Sequence, residues 1–324
     1  MHVIFRESHG LDETATPTDL GQSPADLVVL SFSDSDLGAF AAGWHRANGS
    51  LPALRLANLA ALKHPLSVDT YLERTLSGAK GILIRLIGGV PYWSYGLAQV
   101  EALARAKGIA LAVLPADGRA DARLDAVSTL PASTLKRLAQ LCDTGGAVAA
   151  QAALAQMALA AGLYAGPVLG AKTLPEVGGW TPEDGLTCPA AFAATAERPR
   201  VLVIFYRAWL TAHDLDPVQA LVAALRAKGF DVLALFAPSL KAPGAARWMA
   251  RWVKALRPAA VVNATSFSAR GDNGQTPLDG AGVPVFQVAL STATRRAWDG
   301  AARGLSPSDL AMHVVLPEVD GRLF

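Results

Sequence analysis

The chain has 324 residues, enough for about two domains, and is 52% hydrophobic but only 17% charged, against roughly 25% charged in an average soluble domain. Such a composition implies large covered faces and excludes a disordered or highly solvated chain. The formal net charge of +2 is spread without basic clusters, so a nucleic-acid footprint is lacking and no nucleic-acid partner is expected.

Taken in chain order, the N-terminus carries Arg6 and Glu7 where a secretory leader needs an apolar core, so export is not indicated and a cytoplasmic location is expected. Residues 25–33, ADLVVLSFS, form a short apolar run. It gives way to a helical pattern opened by Ser33 and Asp34, both helix-capping residues. Residues 81–89 are a second such run, followed by a helix around Leu97 to Lys107 and a third run at 108–118. Continuous apolar strands alternating with helices predict a parallel sheet covered on both faces.

Residues from about 130 to 171 look helical and Ala-rich, and Thr144 to Ala171 is free of charge. Gln151, Gln156, Gly162, Gly166 and Pro167 interrupt it, and Leu154, Met157 and Ala161 share one helical face. The segment is therefore read as a packed helix and no membrane span is expected. Residues 173–199 are dense in Pro, Gly and Thr and read as a connector.

A second series follows, with strands at 200–207, 230–239, 259–267 and 283–291, and helices from about Pro217 to Lys228 and Gly244 to Arg257. The expected architecture is α/β: two modules with parallel sheets flanked by helices. Their bounds are an N-terminal module at 1–125, a helical segment and connector at 126–199, and a second module at 200–324.

In an open parallel sheet, ligands bind beyond the carboxyl ends of the strands. In the second module those ends carry Arg207, Asn263, Thr265, Ser266, Arg270 and Gln287. Two readings stand: a polar binding edge, or residues that only cap and turn the backbone. In the first module Tyr92, Trp93 and Tyr95 either stack on a flat ligand or pack between a loop and a helix.

Asp34 and Asp36 invite comparison with a metal-bound nucleotide-sugar site, although helix capping accounts for them more simply. Gly88 and Gly89 lack both the dinucleotide fingerprint and a Walker lysine, so no cofactor is expected in this chain. The six histidines form no i, i+3 or i, i+4 pair, and Cys142 and Cys188 make no zinc pattern. The Arg270, Gly271, Asp272 sequence reads as a turn.

Residues 85–115, RLIGGVPYWSYGLAQVEALARAKGIALAVLP, resemble the N-terminal region of aerobic cobaltochelatase large subunits. The segments RVLVIFYR, RPAAVVNATSF, VPVFQVALSTATRRAW and GLSPSDLAMHVVLPEVDGR are similar to the wider CobN and magnesium-chelatase large-subunit family. The most specific block is Trp298, then Gly304, Leu305, Ser306 and Pro307, then Leu316 to Gly321. The resemblance spans nearly the whole chain.

It implies metal insertion into a tetrapyrrole, Co²⁺ into hydrogenobyrinic acid a,c-diamide for the cobalt branch and Mg²⁺ into protoporphyrin IX for the chlorophyll branch. The large subunit holds the macrocycle. ATP is used by the full complex, through an AAA+ ATPase subunit and a subunit with an integrin-like domain. Family members are several times longer, so the sequence is read as an N-terminal fragment, expected to be inactive alone. The family's catalytic positions are not carried onto any residue here. The candidate substrate-binding set is Arg207, Asn263, Thr265, Arg270 and Gln287, with Tyr92 and Trp93 as macrocycle-stacking candidates and no metal ligands.

Overall fold

The computed structural model describes residues 16–192, 197–271, 274–302 and 304–321. Arg6, Glu7 and Asp272, singled out above, lie outside the described residues. The chain divides into two α/β units. The first runs to Leu174 and takes in Thr211–His213; the second comprises Pro175–Leu210 and the chain from Asp214 onward.

The first unit is built from β1 (Leu27–Ser31), α1 (Asp34–Arg46), β2 (Leu54–Asn58), α2 (Pro65–Arg74), β3 (Gly81–Leu86), α3 (Ser94–Lys107), β4 (Ala110–Pro115), α4 (Ala122–Val127), α5 (Ala132–Thr144) and α6 (Gly146–Ala160). Its four strands are all parallel, in the order β2, β1, β3, β4. β1, β3 and most of β4 are buried on both faces, which is why they read as unbroken apolar runs. Leu27, Val29, Leu83 and Ala112 pack with α1, α5 and α6. Their neighbours Val28, Leu30, Ile82, Ile84, Leu111 and Val113 pack on the other face with residues of α2 and α3.

The strand β2 is not anticipated from the sequence. It lies at the sheet edge and is mostly half-buried, so LRLAN offers no continuous apolar run. The segment at 130–171 forms α5 and α6 and then irregular chain. α6 carries nine buried residues, eight apolar together with Gln151, and packs against α1 at Gly43, where a Cβ would stand only 2.6 Å from the Gln151 backbone nitrogen. Among the described residues no helix is long and apolar enough to cross a membrane.

The second unit contains β5 (Gly178–Thr181), β6 (Gly185–Thr187), β7 (Arg200–Tyr206), α7 (Arg207–Ala212), α8 (Asp216–Ala227), β8 (Asp231–Ala237), α9 (Pro243–Leu256), β9 (Ala260–Asn263), β10 (Val285–Gln287), α10 (Arg295–Gly300), α11 (Pro307–Leu310) and α12 (Leu316–Val319). A π-helical turn over Ala311–Val315 joins the last two helices. The strand order is β10, β9, β7, β8, β5, β6.

β10, β9, β7 and β8 are parallel, while β5 runs antiparallel to β8 and pairs with β6 as a hairpin. The segment read as a connector therefore supplies the last two strands on one side of this sheet, and the unit begins at Pro175 instead of near 200. The cause is a buried aromatic: Trp180, 4% exposed, meets Phe205 edge-on at 6.2 Å between ring centroids, and such contacts outweigh the weak strand propensity of the surrounding Gly and Pro. On one face of the sheet, Leu202, Ile204, Leu233 and Leu235 pack with Met249 and Val253 of α9.

Candidate functional site

The carboxyl ends of the second unit's parallel strands bring Tyr206, Asn263 and Gln287 to one edge of the sheet, where the topology places ligands. Each strand turns into a loop held by local hydrogen bonds. The Tyr206 hydroxyl accepts from the Phe267 backbone N–H at 3.0 Å. Asn263, 1% exposed, accepts at Oδ1 from the Thr265 N–H at 3.2 Å and hydroxyl at 2.8 Å, and its Nδ2 donates to Gln287 Oε1 at 2.9 Å.

Beyond this network opens a cleft of about 430 Å³. Phe267, Leu278 and Val285 give it an apolar surface, and Asn263, Arg270 and Gln287 line it together with Asp279. Asp279 is already engaged by Thr276, whose N–H and hydroxyl it accepts at 2.7 and 2.6 Å.

The chain's last described segment is tied to the same edge. Asp320 accepts from the Ser268 N–H at 3.0 Å and pairs with Lys241 Nζ at 2.8 Å, and Gly321 joins the cleft lining. Ser266 Oγ lies 2.7 Å from His313 Nδ1, in the π-helical turn, and His313 Nε2 lies 3.7 Å from Asp309 Oδ1. Asp309, 1% exposed, accepts from the Thr292 N–H and hydroxyl at 2.9 and 2.7 Å and from the Ser291 hydroxyl at 3.0 Å. Burial pushes its pKa up, but the Thr292 backbone and hydroxyl donors, with the hydroxyls of Ser291 and Ser306, outweigh that and hold it below the ordinary aspartate value.

Of the residues picked out from sequence, Asn263, Arg270 and Gln287 share the cleft. Thr265 is buried behind it and fixes Asn263. Arg207 stands apart from the lining, with Nε donating to the Pro175 carbonyl at 2.9 Å; burial lowers its pKa, with Glu176 acting the other way. In the first unit Tyr92 is exposed, whereas Trp93 is buried and its Nε1 donates to the Leu62 carbonyl at 2.8 Å.

Asp36 accepts from Ser31 Oγ at 2.9 Å and pairs with Arg85 Nε at 3.2 Å, and Asp34 accepts from Asn58 Nδ2 at 2.9 Å. Sequence reasoning misses Phe267, Leu278, Asp279, Lys241, Asp309 and His313. A search for histidine pairs passes over Asp309 and His313, although their i, i+4 spacing was a readable signal. The others reach the edge only through the tertiary fold.

Residues 143–324 match the family model described as CobN/Magnesium Chelatase. The chain is 36% identical over its full length to an aerobic cobaltochelatase subunit CobN from a Sinorhizobium species, and 34% identical to the protein of the same description from Pseudomonas aeruginosa. It spans only 26% of each of these relatives. Among solved structures, the catalytic subunit of cobaltochelatase from Mycobacterium tuberculosis superposes with a TM-score of 0.62 and 26% identity, over 92% of this chain and 24% of that one. The strand-edge cleft thus lies wholly inside the family-matched stretch, and the chain belongs to the CobN/magnesium-chelatase family.

Proposed function

We propose that this chain is part of the tetrapyrrole-binding large subunit of an aerobic, ATP-dependent cobaltochelatase, in which Co²⁺ is the substrate inserted into hydrogenobyrinic acid a,c-diamide in the cytoplasm. ATP is hydrolysed by an AAA+ partner that acts with a subunit carrying an integrin-like domain. The observation that carries the reading is the cleft at the carboxyl edge of the second unit's sheet, lined by Phe267, Leu278 and Val285 together with Arg270, Asp279 and two amides, in a chain that spans a quarter of its cobaltochelatase relatives.

Such a surface suits a macrocycle that is apolar across its ring and carries carboxylates and amides at its rim. Arg207 and Thr265 support the edge from outside the lining, and Tyr92 remains the exposed candidate for stacking in the first unit.

Metal insertion needs a base for the pyrrole protons and ligands that hand over the ion. Among the described residues no group of three or more His, Cys, Asp or Glu is placed to hold a metal. We assign the chain a binding role, and expect no insertion by the chain alone. A nucleotide-sugar transferase using Asp34 and Asp36 is disfavoured, because Asp36 is committed to Arg85 and Asp34 to Asn58.

Parallel titrations of the purified chain test the reading, one with the corrinoid precursor followed by absorbance and one with Mn²⁺ and nucleotide sugars. Saturable spectral change with the corrinoid alone is expected. Binding of the nucleotide sugar alone would replace this reading with the transferase.

A further inference from the structure

The amides at the cleft are oriented by a chain of obligate donors. A backbone N–H only donates, so the Thr265 N–H at 3.2 Å requires the oxygen of the Asn263 side chain on that side, and the Thr265 hydroxyl at 2.8 Å shares it. The Asn263 nitrogen is then the group facing Gln287, and it too only donates. Its 2.9 Å contact therefore requires the oxygen of Gln287.

That leaves the Gln287 Nε2 group with two N–H donors, beside an oxygen already engaged by Asn263. Gln287 is exposed at the end of β10 and lines the cleft with Arg270, whose side chain offers only donors. The carboxylate in the lining, Asp279, has both oxygens engaged by Thr276. Swapping the amide positions in either residue would set a donor against a donor at Asn263, which is 1% exposed.

We infer that Gln287 is a specificity-determining residue that, with Arg270, reads a carboxylate arm on an otherwise apolar ligand. At about 430 Å³ the cleft lies near the lower end of small-molecule sites, roughly 300 to 1,000 Å³. It therefore takes an arm and the adjoining ring, and leaves most of a large macrocycle outside. Naming that ligand as a tetrapyrrole rests on the function proposed above; the preference for an acceptor does not.

Gln287→Glu separates the two. The new carboxylate still accepts from Asn263 Nδ2, so the buried network is kept, while its other oxygen replaces two donors with negative charge. The purified chain and this variant are titrated, by tryptophan fluorescence, with a porphyrin bearing free propionates, the same porphyrin with its propionates converted to primary amides, and 3-phenylpropionate. The expected result is tighter binding of the acid than of the amide, and a loss of about ten- to a hundredfold for the acid in Gln287→Glu, with the thermal midpoint unchanged.

Equal binding of acid and amide, unaffected by Gln287→Glu, overturns the role of Gln287 and leaves the tetrapyrrole reading standing. If neither porphyrin binds but 3-phenylpropionate does, and Gln287→Glu weakens it, the carboxylate preference holds and the tetrapyrrole reading falls. Failure of all three probes to bind overturns both.

Discussion

Arg85 projects from β3 into the interior of the first unit, 3% exposed, and its environment predicts an asymmetric response to mutation. Its Nε lies 3.2 Å from Asp36 Oδ2 and its Nη2 lies 3.2 Å from Asp143 Oδ1, while Nε and Nη1 make no aligned hydrogen bond. Burial works against its charge, yet Cys142, Asp36 and Asp143 around it hold its pKa above the ordinary arginine value. Burial pushes the Cys142 thiol up, so at neutral pH the compensating charge comes from the two carboxylates.

Removing the partner of a buried charge costs about 3 to 5 kcal/mol. Asp143 would remain in Asp36→Asn, but its side chain is 47% exposed and the contact is partly screened. A cost of about 2 to 3 kcal/mol is expected, which includes a few tenths from losing an acidic residue in the first turn of α1. Arg85→Met instead removes the buried charge together with its unsatisfied Nη1, and leaves carboxylates that solvent reaches. Its cost is expected to stay below about 1 kcal/mol. Placed in the Arg85→Met background, Asp36→Asn is expected to cost only those few tenths.

The assay is local, because a chain of two units need not unfold in one step. The rate of native-state hydrogen exchange at the backbone amides of β3, around Arg85, reports local opening. Asp36→Asn should raise that rate about 30- to 150-fold. Equal or greater opening in Arg85→Met would refute the charge argument and reduce Arg85 to a packing residue.

Asp309 has a pKa depressed in the fold, so its contribution to stability is complete above the unfolded value, about 3.9, and is lost as pH falls through the folded one. Asp309→Asn should flatten that part of the thermal midpoint measured between about pH 2 and 6. Gly43→Ala should destabilise the first unit by about 1 to 3 kcal/mol by forcing α1 off α6, even though Ala is the better helix former by about 1 kcal/mol; chemical denaturation followed by circular dichroism checks the sign. Arg270→Ala should weaken corrinoid binding about ten- to a hundredfold with little change in thermal midpoint. Arg207→Ala, which loses the contact to the Pro175 carbonyl, should do the reverse; titration and thermal denaturation of both variants separate the roles.

The parts of the fold that were legible in the sequence are those where burial is symmetrical. β1, β3, β7 and β8 are covered on both faces, so each appears as an apolar run between turns. β2, at a sheet edge, and the hairpin of β5 and β6 were not legible, because their pairing is decided by partners distant in sequence. For the cleft, the strand-end rule picks out Asn263 and Gln287, since carboxyl ends follow from strand order alone. Arg207 also sits at a strand end, but it is the first residue of α7 and donates to Pro175. Being at the edge does not fix which way a long side chain turns. Phe267, Leu278 and Asp279 come from loops with no periodicity to read.

The two units treat their polar strand ends differently, and the difference bears on where a ligand is expected. In the first, the groups that end β1, β2 and β3 engage one another, Ser31 with Asp36, Asp36 with Arg85 as an ion pair, and Asn58 with Asp34, although Arg85 Nη1 keeps no hydrogen bond. Charges of opposite sign meet there, and a ligand would have to displace an ion pair held in low dielectric before making its own contacts. In the second, the oxygens of Asn263 and Gln287 each already accept from a donor, and the network leaves the two N–H donors of Gln287 Nε2 over. A carboxylate arriving at Gln287 and Arg270 meets N–H donors without displacing a hydrogen bond seen among the described residues, so most of its charge-assisted gain remains as affinity. A ligand that offers only donors is matched less well, since Arg270 has no acceptor and the Gln287 oxygen is already engaged by Asn263. By that asymmetry the second unit, and not the first, is where an anionic rim group should be captured.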